Sequence, residues 1–218
     1  MRKFLIIVFV ILLNGCAYNI PSYTAQNENL NLVKNGRSTI SVIQENPEFA
    51  DDGSIICRAA GTVKLANGKT FSGYITDALK DELKSVNLLD EKASNKLRVS
   101  VRRVDFSSSL GATNWYIDAD YSINGNKVSV SSLYHDRSSY LGTKACNNMA
   151  QYFQKAVAEH LRQLYSKPEF RAAIDYGQET PNSSTEEVRL QKLKKLYTDG
   201  LITEKEFNHK RQQIIEGL

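Results

Sequence analysis

Trp115-Tyr116-Ile117-Asp118-Ala119-Asp120-Tyr121-Ser122-Ile123-Asn124-Gly125-Asn126-Lys127-Val128-Ser129-Val130 is the stretch that decides the fold. Trp115, Ile117, Ala119, Tyr121 and Ile123 fall at alternate positions, so in an extended chain they share one face and the residues between them share the other. Asn124-Gly125 follows at once. Both residues tolerate the positive φ of a two-residue type I′ turn, and Val128 and Val130 resume the alternation on the return. A hairpin with one apolar face must have that face covered. Phe71, Tyr74, Ile75, Ala78, Leu79, Leu83 and Val86 recur at helical spacing and predict one amphipathic helix, capped by Thr70. Ala145, Met149, Tyr152, Phe153, Ala156, Val157, His160, Leu161 and Leu164 form the stripe of a longer helix that stops before Pro168.

Shorter signals complete the unit. Ile40 and Val42 mark a strand, followed by a loop through Asn46-Pro47 and Asp51-Asp52-Gly53. A second strand from Ile55 to Ala59 carries Cys57. Val63 and Leu65 lead into an Asn67-Gly68 turn, and Leu97, Val99 and Val101 alternate through a strand reaching Phe106. The order of strands, helix, three strands and helix predicts an α+β domain over 38–176. Its expected form is a mostly antiparallel sheet, wet on one face and packed by two helices on the other.

At the start, Arg2 and Lys3 precede an unbroken apolar run from Phe4 to Leu13, which spans only about half of a bilayer core and so reads as a signal h-region. Leu13-Asn14-Gly15-Cys16 resembles the bacterial lipobox. The resemblance implies removal of residues 1–15 and a diacylglycerol on the Cys16 sulfur, which anchors the chain to a membrane. Ala17, rather than Asp, implies the periplasmic face of the outer membrane. Residues 16–37 are rich in Asn with sparse apolar positions and are expected to be a lipidated tether, a coil with a span of about 25 Å.

Cys57-Arg58, Thr70-Phe71-Ser72-Gly73-Tyr74-Ile75, Asp105-Phe106-Ser107-Ser108, Asn124-Gly125, Ala145-Cys146 and Pro168-Glu169-Phe170 resemble a group of uncharacterised bacterial lipoproteins over about residues 38 to 174. That likeness implies a fold and a location but no activity.

Losing residues 1–15 lowers the formal charge from +4 to +2, so nothing in the charge points to nucleic acid. With Cys16 set aside, Cys57 and Cys146 remain, and an even pair in an oxidising compartment predicts a disulfide. The alternative is a reactive thiol with His135 or His160 as its base.

Residues 177–185 read as a linker, and 186–218 as a helical hairpin. Ser184 with Glu187 and Thr203 with Glu206 form two capping boxes. The string Leu193-Lys194-Lys195-Leu196-Tyr197-Thr198-Asp199-Gly200-Leu201-Ile202-Thr203-Glu204-Lys205-Glu206-Phe207 resembles the short C-terminal domain called SHOCT. The resemblance implies oligomerisation or binding of a protein partner. Leu193, Leu196, Ile202, Phe207 and Ile214 are the expected contact residues, unless the hairpin packs back on its own body.

Catalytic patterns are weak. His135-Asp136 lacks the further histidines and carboxylates of a metal phosphohydrolase. Asp118 and Asp120 share a polar strand face, where they would bind a cation or simply be solvated. His160 lies on an apolar stripe as a core histidine would, and Arg102-Arg103 reads as strand surface. No phosphate loop, zinc spacing or serine elbow is present, and no cofactor, catalytic residue or metal is expected. The expectation is a non-enzymatic, lipid-anchored envelope protein. Two alternatives are an accessory or carrier subunit of envelope lipid transport, holding an apolar ligand between sheet and helices, and a cell-wall enzyme using Asp118, Asp120 and His135.

Overall fold

Three long strands, β5 (Lys96–Ser109), β6 (Ala112–Ile123) and β7 (Asn126–Arg137), form an antiparallel meander. The computed structural model describes residues 17–58, 60–109, 111–175, 185–198 and 201–216. Asn124 and Gly125 take φ of 49° and 89°, the left-handed pair that the β6–β7 turn requires. Ile117, Ala119 and Tyr121 have no exposed surface, and neither does Trp115. In β5 the inward positions switch from Leu97, Val99 and Val101 to Val104, because a bulge between Val101 and Arg103 shifts the phase by one residue. The strand β2 (Ser41–Gln44) joins the free edge of β5 in parallel, with Val42 opposite Leu97.

Two helices cover the inner face, α2 (Phe71–Ser85) and α3 (Gly142–Tyr165), and the short α4 (Pro168–Ala173) follows. The Trp115 indole donates to the Met149 carbonyl at 3.0 Å, fixing α3 to β6. Phe153 of α3 lies 4.7 Å from Trp115 and 5.2 Å from Phe71 of α2, between ring centroids. The start of α2 is capped twice. Thr70 accepts from the Gly73 amide at 3.0 Å, and the Asp51 carboxylate accepts from the Phe71 and Ser72 amides at 2.7 Å each. The loop carrying Asp51 comes this close because Gly53, at φ 70°, has no side chain; a Cβ there would lie 1.9 Å from the Lys69 carbonyl oxygen.

The α+β class holds, with two corrections. The strands form two sheets, not one. β1 (Ala17–Asn19), β4 (Gly61–Lys64) and β3 (Ser54–Cys57) make a separate sheet in the order β1-β4-β3. β3 and β4 pair antiparallel across a tight turn in which Arg58 takes φ 48°, and β1 occupies the other edge of β4 in parallel.

The second correction concerns 16–37, which is not a tether over the described residues. After β1 the chain enters a helix, α1 (Asn27–Val33), and Ile20 and Val33 are buried in the body. Few apolar residues suffice because polar ones are also satisfied inside. Glu82 of α2 has no exposed surface, and its carboxylate accepts from the Tyr23 hydroxyl at 2.5 Å, the Gln26 amide at 3.1 Å, the Asn29 amide group at 3.1 Å and the Tyr165 hydroxyl at 2.8 Å.

The chain divides after Ile174 into two compact units. The second contains α5 (Thr185–Thr198) and α6 (Glu204–Glu216), which pack as a pair. Among the described residues no helix is long and apolar enough to cross a membrane.

Candidate functional site

The helical pair carries the expected contact residues. Thr203 and Glu206 form the second capping box: the Thr203 amide donates to the Glu206 carboxylate at 2.9 Å and the Thr203 hydroxyl donates to it at 2.7 Å. These bonds hold the Glu206 carboxyl below its usual range. Ser184, which would open the first box, lies outside the described residues, as do Asp199 and Gly200. Across the hairpin the rings of Tyr197 and Phe207 stack at 4.8 Å. Leu193 is buried, whereas Leu196, Ile202, Phe207 and Ile214 are only half-buried. Tyr197 and Leu201 are exposed beside them. Leu196 is on α5, Phe207 and Ile214 are on α6 and Ile202 is in the connection between them, and all four stay partly open to water.

Cys57 and Cys146 are bonded, with Cα atoms 5.8 Å apart, joining the end of β3 to the first turn of α3. This removes both sulfurs from any thiol chemistry. His160 is fully buried and takes part in hydrogen bonds with the Ser132 hydroxyl and the Tyr121 hydroxyl, each at 2.8 Å. Burial pushes its pKa down to about 3, so it is neutral in the core. His135 lies at the exposed end of β7, where it bonds the Asn114 side chain at 2.7 Å. Cys16, the expected lipidation site, lies outside the described residues.

The three residues considered for an enzyme do not converge. Asp118 stands opposite Ser131 and His135 opposite Asn114, four positions further along, which is roughly 13 Å. Asp120 is committed to Lys127 at 2.7 Å, Arg102 at 3.2 Å and Ser129 at 2.7 Å. Partial burial alone would raise the Asp120 carboxyl, but Lys127, Ser129 and Arg102 outweigh it and hold it below the usual carboxylate range. Among the described residues no three His, Cys, Asp or Glu side chains gather as a metal site would require. The carrier alternative needs an apolar cavity between sheet and helices. That interface is instead filled by Leu79, Leu83, Trp115, Tyr121, Phe153 and Leu161, none with more than a trace of exposed surface.

The buried Glu82 cluster is what sequence reading missed. A signal was present: residue 82 sits between Leu79 and Leu83 on the apolar stripe of α2, where a carboxylate must find partners.

Comparison with curated proteins found no match. Among solved structures, a Xanthomonas campestris protein of the family DUF330 aligns over 77% of this chain and 100% of its own, at 14% identity and a TM-score of 0.45. An uncharacterised protein aligns over 68% of this chain and 97% of its own, at 12% identity and a TM-score of 0.38. A candidate lipoprotein from Caulobacter crescentus aligns over 63% and 90%, at 15% identity and a TM-score of 0.33. Residues 189–215, which span most of the α5–α6 hairpin and none of the body, match the family of the Short C-terminal domain, SHOCT.

Proposed function

We propose that this chain is a non-enzymatic, lipid-anchored protein of the bacterial envelope that acts by protein–protein association through its SHOCT hairpin. The observation that carries this reading is the hairpin itself. It matches the Short C-terminal domain family over 189–215, a resemblance that implies association, and it holds Leu196, Ile202, Phe207 and Ile214 half-exposed. Support for the anchor comes from the charged start, the short apolar run and the Leu13-Asn14-Gly15-Cys16 motif. Ala17 favours the periplasmic face of the outer membrane. Crosslinking in intact cells, with the full chain and with a form truncated after Gln178, tests the association. Partners or self-adducts present with the full chain and missing from the truncated form are expected, and an identical crosslinked set from both forms overturns it. Replacing Cys16 by Ser tests the anchor: the protein is expected to leave the membrane fraction, and full retention there overturns it.

A further inference from the structure

We infer that the end of the body next to Cys16 is a second membrane contact, a surface that rests in the headgroup layer of the same bilayer that holds the lipid. The inference rests on the anchor reading above. Strand β1 begins at Ala17, so the body starts one peptide unit, about 3.8 Å between Cα atoms, after the lipidated residue. No length of free chain separates the two. Ala17 pairs with Thr62, and Thr62 pairs in turn with Ile56, which places Ile56 on the same sheet face two strands away, about 10 Å from Ala17.

Ile56 is 77% exposed. The connection from β7 into α3 comes to the same end. Gly142 lies against Ala60 in the β3–β4 turn, and the Tyr18 hydroxyl of β1 donates to the Ala60 carbonyl at 3.4 Å. That connection presents Tyr140 and Leu141, 73% and 61% exposed. Of the large apolar side chains strongly exposed among the described residues of the first unit, only Leu133 lies outside this group. Lys144, also exposed, adds a cation beside them.

The surface is braced from within. The Arg58 guanidinium donates to the carbonyls of Ser108, Ser109 and Ser139, tying the β3–β4 turn to the β5–β6 turn and to the loop bearing Tyr140. Two aliphatic side chains, an aromatic with a polar tip and a lysine on a braced platform match the chemistry of a bilayer interface with anionic lipids. The far end of the body, at Asn124-Gly125, is separated from this end by the length of β6, about 40 Å.

Tryptophan scanning of the full lipidated chain, purified from membranes and reconstituted in phosphatidylethanolamine–phosphatidylglycerol vesicles, tests this. Trp115 is fully buried and supplies a constant background. Lipids brominated near the headgroup are expected to quench the added emission of Ile56→Trp and Tyr140→Trp at least about twofold, and to leave Asn126→Trp unchanged. Quenching of the first two that is no greater than that of Asn126→Trp overturns the inference. The mass of the Cys16 peptide separates the two failures: diacylglycerol present without quenching refutes the second contact alone, and diacylglycerol absent refutes the anchor together with it.

Discussion

A carboxylate with no exposed surface is tolerable only when its lone pairs are met, and Glu82 is met by Tyr23, Gln26, Asn29 and Tyr165. Burial, with the neighbouring Glu82 charge, raises the Tyr23 and Tyr165 hydroxyls above their ordinary value, which keeps both as donors. Glu82→Ala strands these donors and is expected to cost roughly 3 kcal/mol, read by chemical denaturation. It should also open residues 17–37 to proteolysis in the otherwise native protein. Glu82→Gln keeps one acceptor oxygen and should cost less. His160 gives a prediction with a sign. Unfolded, it titrates near 6.5, and folded, at about 3. Between those values the unfolded chain binds a proton that the folded chain refuses. The contribution is therefore fully present above pH 6.5 and is lost as pH falls toward 3, amounting to about 2 kcal/mol between pH 7 and pH 5. His160→Gln should be less stable at pH 7 but flatter across that window. An unchanged slope in denaturation at the two pH values would contradict this account.

Among the elements, the long ones were legible together with their partners, whereas for the short ones the sequence showed at most that a strand was there, as at Ile40-Val42 and around Cys57, and not what it pairs with. β6 and β7 run 12 residues each, so the period of two is visible in Trp115 to Val130, and the 24 residues of α3 display several turns of one stripe. By contrast β1, β3 and β4 have three, four and four residues, and the parallel pairing of β1 with β4 leaves no local trace in the sequence. The tether reading failed for the same reason. Ile20 and Val33 look isolated along the chain, and only contacts more than fifty positions away, such as Asn29 with Glu82, show that the segment is folded. Cys57–Cys146 was legible by counting, and it closes a separation of 89 residues between β3 and α3. Replacing both cysteines by Ala is expected to lower stability by up to about 4 kcal/mol in the chain-entropy picture, seen as a lower melting temperature with the fold retained. Gly53→Ala is the complementary test. With φ at 70° and the Lys69 carbonyl in the way, the loop must move, Asp51 is drawn off the start of α2, and the variant should melt several degrees lower even though its side chain gains only a methyl.

At the scale of the whole molecule, the body and the hairpin reach stability by different routes. The body has a disulfide, an aromatic centre and a satisfied internal carboxylate, and its core residues come from positions up to Ile174. The hairpin has two helices, a capping box and one stacked ring pair, with Leu193 alone among its five expected contact residues buried. Each large apolar side chain taken fully out of water contributes about 1.5 to 3 kcal/mol, and Leu196, Ile202, Phe207 and Ile214, already half-buried, keep about half of that to offer, so an assembly through the hairpin needs further contacts beside these four to offset the entropy of association. Removing everything after Gln178 takes away no cysteine and none of the body's core. The truncated form is expected to keep the melting temperature of the body and its disulfide. Sedimentation of the detergent-solubilised full chain and of the truncated form then reads the hairpin's contribution directly. A larger protein mass for the full chain than its own polypeptide accounts for, with a monomeric truncated form, is the expected result. Substituting Phe207 by Ala in the full chain should weaken that assembly without complete loss, because the ring also stacks on Tyr197 inside the hairpin. Monomers from both full-length and truncated chains would exclude self-association through the hairpin.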